Sequence, residues 1–73
     1  MQFPNREIVE ALRREYPAGT RVELITMDDP KAPPFGTCGT VEGVDDTGSL
    51  LVRWDNGSGL NVIFGVDRVR RKP

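Results

Sequence analysis

The chain has no histidine and a single cysteine, Cys38. Without histidine it lacks the commonest general base and the commonest metal ligand, which argues against an enzyme and leaves no cofactor to expect. One cysteine cannot form an intrachain disulfide. No signal-peptide pattern and no run of about 20 apolar residues is present, so a reducing cytoplasm is the expected location and no membrane partner is expected. Charge of one sign is also missing: 10 basic and 11 acidic residues give a formal net charge of −1. No global field draws in nucleic acid or an anionic membrane, and any attraction must be local. Large side chains are scarce, with one Trp, one Tyr and three Phe. A chain of 73 residues makes one domain with a small core, burying only about 60% of its unfolded surface.

What is present is patterned. In PNREIVEALRREY, Asn5 is a good N-cap, and Ile8, Leu12 and Tyr16 recur every four residues along one helical face. This predicts a short amphipathic helix from about Pro4 to Glu15, stopped by Pro17 and Gly19. TRVELIT alternates Val22 and Leu24 with Arg21 and Glu23, the period of a half-buried strand. MDDPKAPPFG, with Pro30, Pro33 and Pro34, cannot donate a regular ladder and is read as a loop. TCGTVEGV predicts a second strand in which Gly39 and Gly43 mark a bulge or a close backbone approach. DDTGS turns the chain, SLLVRW and GLNVIF predict a third and fourth strand, and DRVR, after a break at Gly65, a final short strand or a helical turn. About five short strands separated by turns suggest a small bent barrel.

RWDNGSGL, residues 53–60, carries its own register test. A two-residue Asn56-Gly57 turn would mix polar and apolar residues on both faces of the hairpin. A three-residue loop with Gly57 left-handed instead pairs Trp54 with Ser58, Val52 with Leu60 and Leu50 with Val62, so one face is apolar. The second register is the expected one, with Trp54 at the end of the core and its ring partly covering the barrel mouth.

From Tyr16 to Arg71 the chain closely resembles the bacterial and phage family called domain of unknown function 4314. The resemblance is carried by GTRVEL, MDDPKAPPFGTCGTV, VDDTG, WDNGS and the closing GVDR. It implies an SH3-like small barrel of a phage or mobile element, with no catalytic residue to carry over. The WDNG hairpin is also similar to that of the Mind-bomb ubiquitin-ligase repeats, SH3-like modules that bind peptide segments.

The expected architecture is therefore mostly β: an SH3-like small barrel of about five strands over residues 17–71, an N-terminal α-helix within 1–16 packed across one opening, and a tail at 72–73. The expected function is a non-catalytic module that recognises a protein segment or a small, nucleotide-like ligand and acts by occupancy. Its groove is placed between the 27–36 loop and the hairpin at 54–58. Phe35, at a loop tip after two prolines, is one candidate, with Arg53, Trp54 and Asp55 from the hairpin and Asp28 and Asp29 from the loop. Trp54 and Tyr16 also have a plain reading as core or rim packing, and the aspartates as turn caps without a metal. The alternative is a nucleic-acid-binding accessory protein with Arg53, Arg68, Arg70 and Arg71 on phosphates; a solvated helix face and a C-terminal tail account for the same charges. A third reading is a homo-oligomer joined through open barrel edges.

Overall fold

The computed structural model describes residues 5–72. Helix α1 spans Arg6–Glu15, with the Asn5 side chain accepting from the Ile8 amide at 2.9 Å as its cap. The Pro4 start expected for the helix lies outside the described residues. The helix turns Val9 into the core and lays Leu12 and Tyr16 against it, whereas Ile8, expected on the same face, is only half-buried and not among the residues packed there. The Arg13 guanidinium then fastens the helix to the sheet, donating to the Val44 carbonyl at 3.0 and 3.1 Å and to Asp46 at 2.9 Å.

Four strands follow: β1 Arg21–Thr26, β2 Cys38–Val44, β3 Leu50–Trp54 and β4 Arg68–Arg71. They form one antiparallel sheet in the order β3-β2-β1-β4. Period-2 alternation sends Val22, Leu24, Val41, Val52 and Trp54 inward, where they meet Val9, Val44, Leu50 and Val62. The two glycines of β2 have separate jobs. A Cβ at Gly39 would lie 2.7 Å from Val52 Cγ1 and 2.9 Å from Trp54 Cε3, so the backbone passes where only hydrogen fits. At Gly43 there is open space, and the β2–β3 register shifts between Val41 and Gly43. That shift is the bulge anticipated from the sequence.

The hairpin follows the apolar-face register at both ends. The Trp54 amide donates to the Ser58 carbonyl at 3.0 Å, Gly57 has φ +91°, and Leu50 and Val62 exchange amide–carbonyl bonds of 2.9 Å. Between those points the expectation fails. GLNVIF is not a strand: Val62 alone bridges to β3, and the Leu60 carbonyl accepts from Trp54 Nε1 at 2.8 Å. Residues 63–67 then fold into a turn, with the amides of Val66 and Asp67 both donating to the Ile63 carbonyl. Among the described residues the sheet is open, with neither a fifth strand nor barrel closure. DRVR supplies β4, so the expected final strand is present while the one before it is not.

Candidate functional site

The residues first expected to form a groove are engaged in different ways. Trp54 is only 1% exposed, because pairing in the apolar-face register directs its ring into the core; it offers no face to a ligand. Asp55 faces the Arg21 guanidinium in a two-pronged pair of 2.9 and 2.6 Å, and Arg21 also donates to Thr40 Oγ1. This pair holds the Asp55 carboxyl below its ordinary range and raises the Arg21 guanidinium above its own, the hydrogen bond being the largest cause of both shifts. Arg53 lies 3.5 Å from Glu42. Asp29 accepts from the Lys31 amide, a local turn contact, while Asp28 contributes its backbone amide, which donates to the distant Asp67 carboxylate. Phe35 stays 76% exposed at its loop tip.

The alternative set of arginines is split, with Arg68, Arg70 and Arg71 together on β4 and Arg53 apart from them. Arg53 is on β3 and Arg70 on β4, the two ends of the strand order, which puts them about 14 Å apart at ordinary strand spacing. Arg70 is paired with Glu23 at 2.7 Å, and Arg71 donates to the Glu15 carbonyl at 3.4 Å. Arg68 has no ion-pair partner among the described residues.

A different surface has the form of a site. A groove of about 380 Å³ runs between α1 and the segment 62–69. Its floor is the core side chains Leu50 and Val62 with Val69 packed against them; Leu12 and Tyr16 make one wall, and Phe64 and Val66 the other. Phe64 and Val66 are 44% and 51% exposed, although they belong to the apolar run NVIFGV. Asp67 explains how that run is held open. One of its oxygens accepts from the Asp28 amide and the other from the Ile63 amide, each at 2.9 Å, so this buried carboxylate ties the turn to the end of β1. Gly65, at φ +80°, completes the turn. Tyr16 lies close enough to the groove's core floor for desolvation to raise its phenol above the ordinary range, with Glu15 adding to the rise and Arg71 opposing it.

The sequence pattern puts Phe64 in the expected fourth strand and a break at Gly65, and gives no sign that Phe64 and Val66 line a groove. The run itself offered no signal for this: Val62, Phe64 and Val66 share one parity, so strand alternation would have buried all three together and left only Ile63 outside.

The family described as domain of unknown function (DUF4314) matches residues 5–72. The chain belongs to that family. The match takes in α1 as well as the sheet, so the helix that walls the groove is part of the DUF4314 unit and extends the likeness first read from Tyr16 onward. No curated protein and no solved structure matches the chain. Among the described residues no cluster of acidic, cysteine or histidine side chains is arranged to hold a metal ion, and no helix is long and apolar enough to cross a membrane.

Proposed function

We propose that this DUF4314 chain is a non-catalytic binding module that takes an apolar side chain of a protein segment into the groove between α1 and residues 62–69, and acts by occupancy. The observation that carries this reading is the groove itself: an aliphatic floor continuous with the core, rimmed by Phe64 and Val66, which remain half-exposed in a chain with few large side chains to spare. Its ionisable neighbours favour binding over chemistry. Asp67 has both oxygens engaged by amides, and Arg68 and Tyr16 do not form an acid–base pair with it. We read the framework as an SH3-like small barrel left unclosed, an assignment supported by the antiparallel order β3-β2-β1-β4 and the Leu50–Val62 bridge. A phage or mobile-element setting follows from the family resemblance alone.

Panning a random-peptide display library on the protein tests the reading, with a Phe64→Ser/Val66→Ser variant as the counter-screen. Both positions are exposed, so the variant should keep its fold. Enriched peptides are expected to share an apolar anchor and to bind the variant about tenfold more weakly, the loss expected when one anchor is left without half its pocket. Peptides that bind both proteins equally would remove the groove from consideration.

A further inference from the structure

The groove runs beside a strand edge that has no partner. Among the described residues β4 pairs with β1 alone. The Lys72 amide donates to the Arg21 carbonyl at 2.8 Å, and directions alternate along an antiparallel strand. Arg70, opposite Glu23, therefore also points its main chain at β1, whereas the amides and carbonyls of Val69 and Arg71 point outward. The side chains alternate as well. Val69 turns to the groove floor and Arg70 to the opposite face beside Glu23, with Arg68 at the groove's rim.

Charge decides what can pair there. Arg68, Arg70, Arg71 and Lys72 put four cations within five residues of a chain whose net charge is −1. A second copy of the same edge would set arginine against arginine, the arrangement by which natural edges resist self-pairing. A nucleic acid would suit the arginines and the outward amides, but its phosphates carry only acceptors and would leave the outward carbonyls of Val69 and Arg71 without donors. An extended peptide matches both the alternating donors and acceptors and, if acidic, the charge.

We infer that the free edge of β4 is the pairing edge for an extended acidic segment of a partner protein. Alternate apolar side chains of that segment enter the groove beside Val69, and its carboxylates meet Arg68 and Arg70. This rests on the groove reading above and adds the backbone geometry and chemical class of the occupant.

The test is an NMR titration of the full-length, ¹⁵N-labelled protein with a capped heptapeptide of alternating glutamate and leucine. The amides of Val69 and Arg71 and the groove residues Leu12, Val62 and Phe64 are expected to shift together. N-methylation of one alternate set of peptide amides should weaken binding about tenfold, and methylation of the other set should leave it unchanged, because only one set faces the protein. Arg68→Glu should weaken binding about fivefold. Arg71→Pro, which removes an outward amide and no bond to β1, should weaken it beyond Arg71→Gln. Groove shifts with both methylated series binding normally would overturn strand pairing and leave the groove reading standing. Equal binding of a peptide with lysine in place of glutamate would overturn the acidic preference. The inference is overturned together with the groove reading if no shift appears at about 1 mM peptide, an affinity too weak for recognition. It also fails if an oligonucleotide displaces the peptide from β4, or if sedimentation shows that edge occupied by a second copy.

Discussion

Gly39 and Asp67 are the two residues on which most depends, for opposite reasons. Gly39 matters for what it lacks. A methyl there meets Val52 and Trp54 inside 3 Å, and neither can withdraw from a packed core. Gly39→Ala is expected to destabilise the fold by about 1–3 kcal/mol in urea unfolding. Gly43→Ala, which meets open space, should stay within about 0.5 kcal/mol of the parent. Asp67 matters for having two acceptors. In Asp67→Asn one oxygen becomes an amide nitrogen aimed at a backbone donor, a mismatch expected to cost about 1–3 kcal/mol and visible as a lower Tm. Loss of the groove wall should accompany it. The carboxylates also predict an acid limit. Asp45 accepts from the Thr47 hydroxyl, its largest stabilising contact, and from the amides of Thr47 and Ser49; Asp55 is held by Arg21. Both are depressed in the folded state. Their contribution is thus complete above the unfolded value near pH 4 and disappears as pH falls through the lower folded values. Unfolding followed against pH should show stability falling below about pH 4, with a shallower fall in Asp45→Asn.

At the scale of elements, α1 is held by a cap, a stripe and one arginine. Asn5→Ala is expected to cost about 1 kcal/mol. Arg13→Ala removes three bonds from one guanidinium, two to the end of β2 and one to the turn after it, so hydrogen exchange in α1 should quicken more than exchange in β1 and β2. The helix, β1, β2 and β3 were legible because each has a clean period and a marked end: Asn5 and Pro17 for the helix, and Gly57 for the hairpin. GLNVIF was misread because Val62 and Phe64 keep a strand's parity, which does not separate strand from wall. What decides it is the Asp67 carboxylate folding the chain back at Ile63, an interaction between residues four apart whose consequence depends on Asp28 from a distant loop.

For the whole molecule, the open sheet is the consequential feature. Had residues 60–64 paired along β3, the apolar run would have been covered and no groove would remain beside α1. A domain of this size has little stability in reserve, so occupation of the groove should be visible thermally. At ten times its Kd, a ligand specific for the folded state adds about 1.4 kcal/mol, and Tm is expected to rise by about 6–11 °C. The Phe64→Ser/Val66→Ser variant should show a smaller rise at the same ligand concentration.

The sequence by itself determined the helix with Leu12 and Tyr16 on one face and the paired ends of the hairpin, because these follow from local periodicity and turn rules that act within a few residues; which of Gly39 and Gly43 meets a close backbone and which marks a bulge depended on the neighbouring strand. It also determined the charges now lining β4. Only the tertiary structure decided that Trp54 is wholly enclosed, that Asp55 and Arg53 are engaged by neighbours on the sheet, and that Phe64 and Val66 stand open beside Leu12 and Tyr16. Those outcomes depend on which strand lies next to which. Pairing across the sheet brings together Arg21 and Asp55, 34 positions apart, and no local pattern records whether such partners will meet.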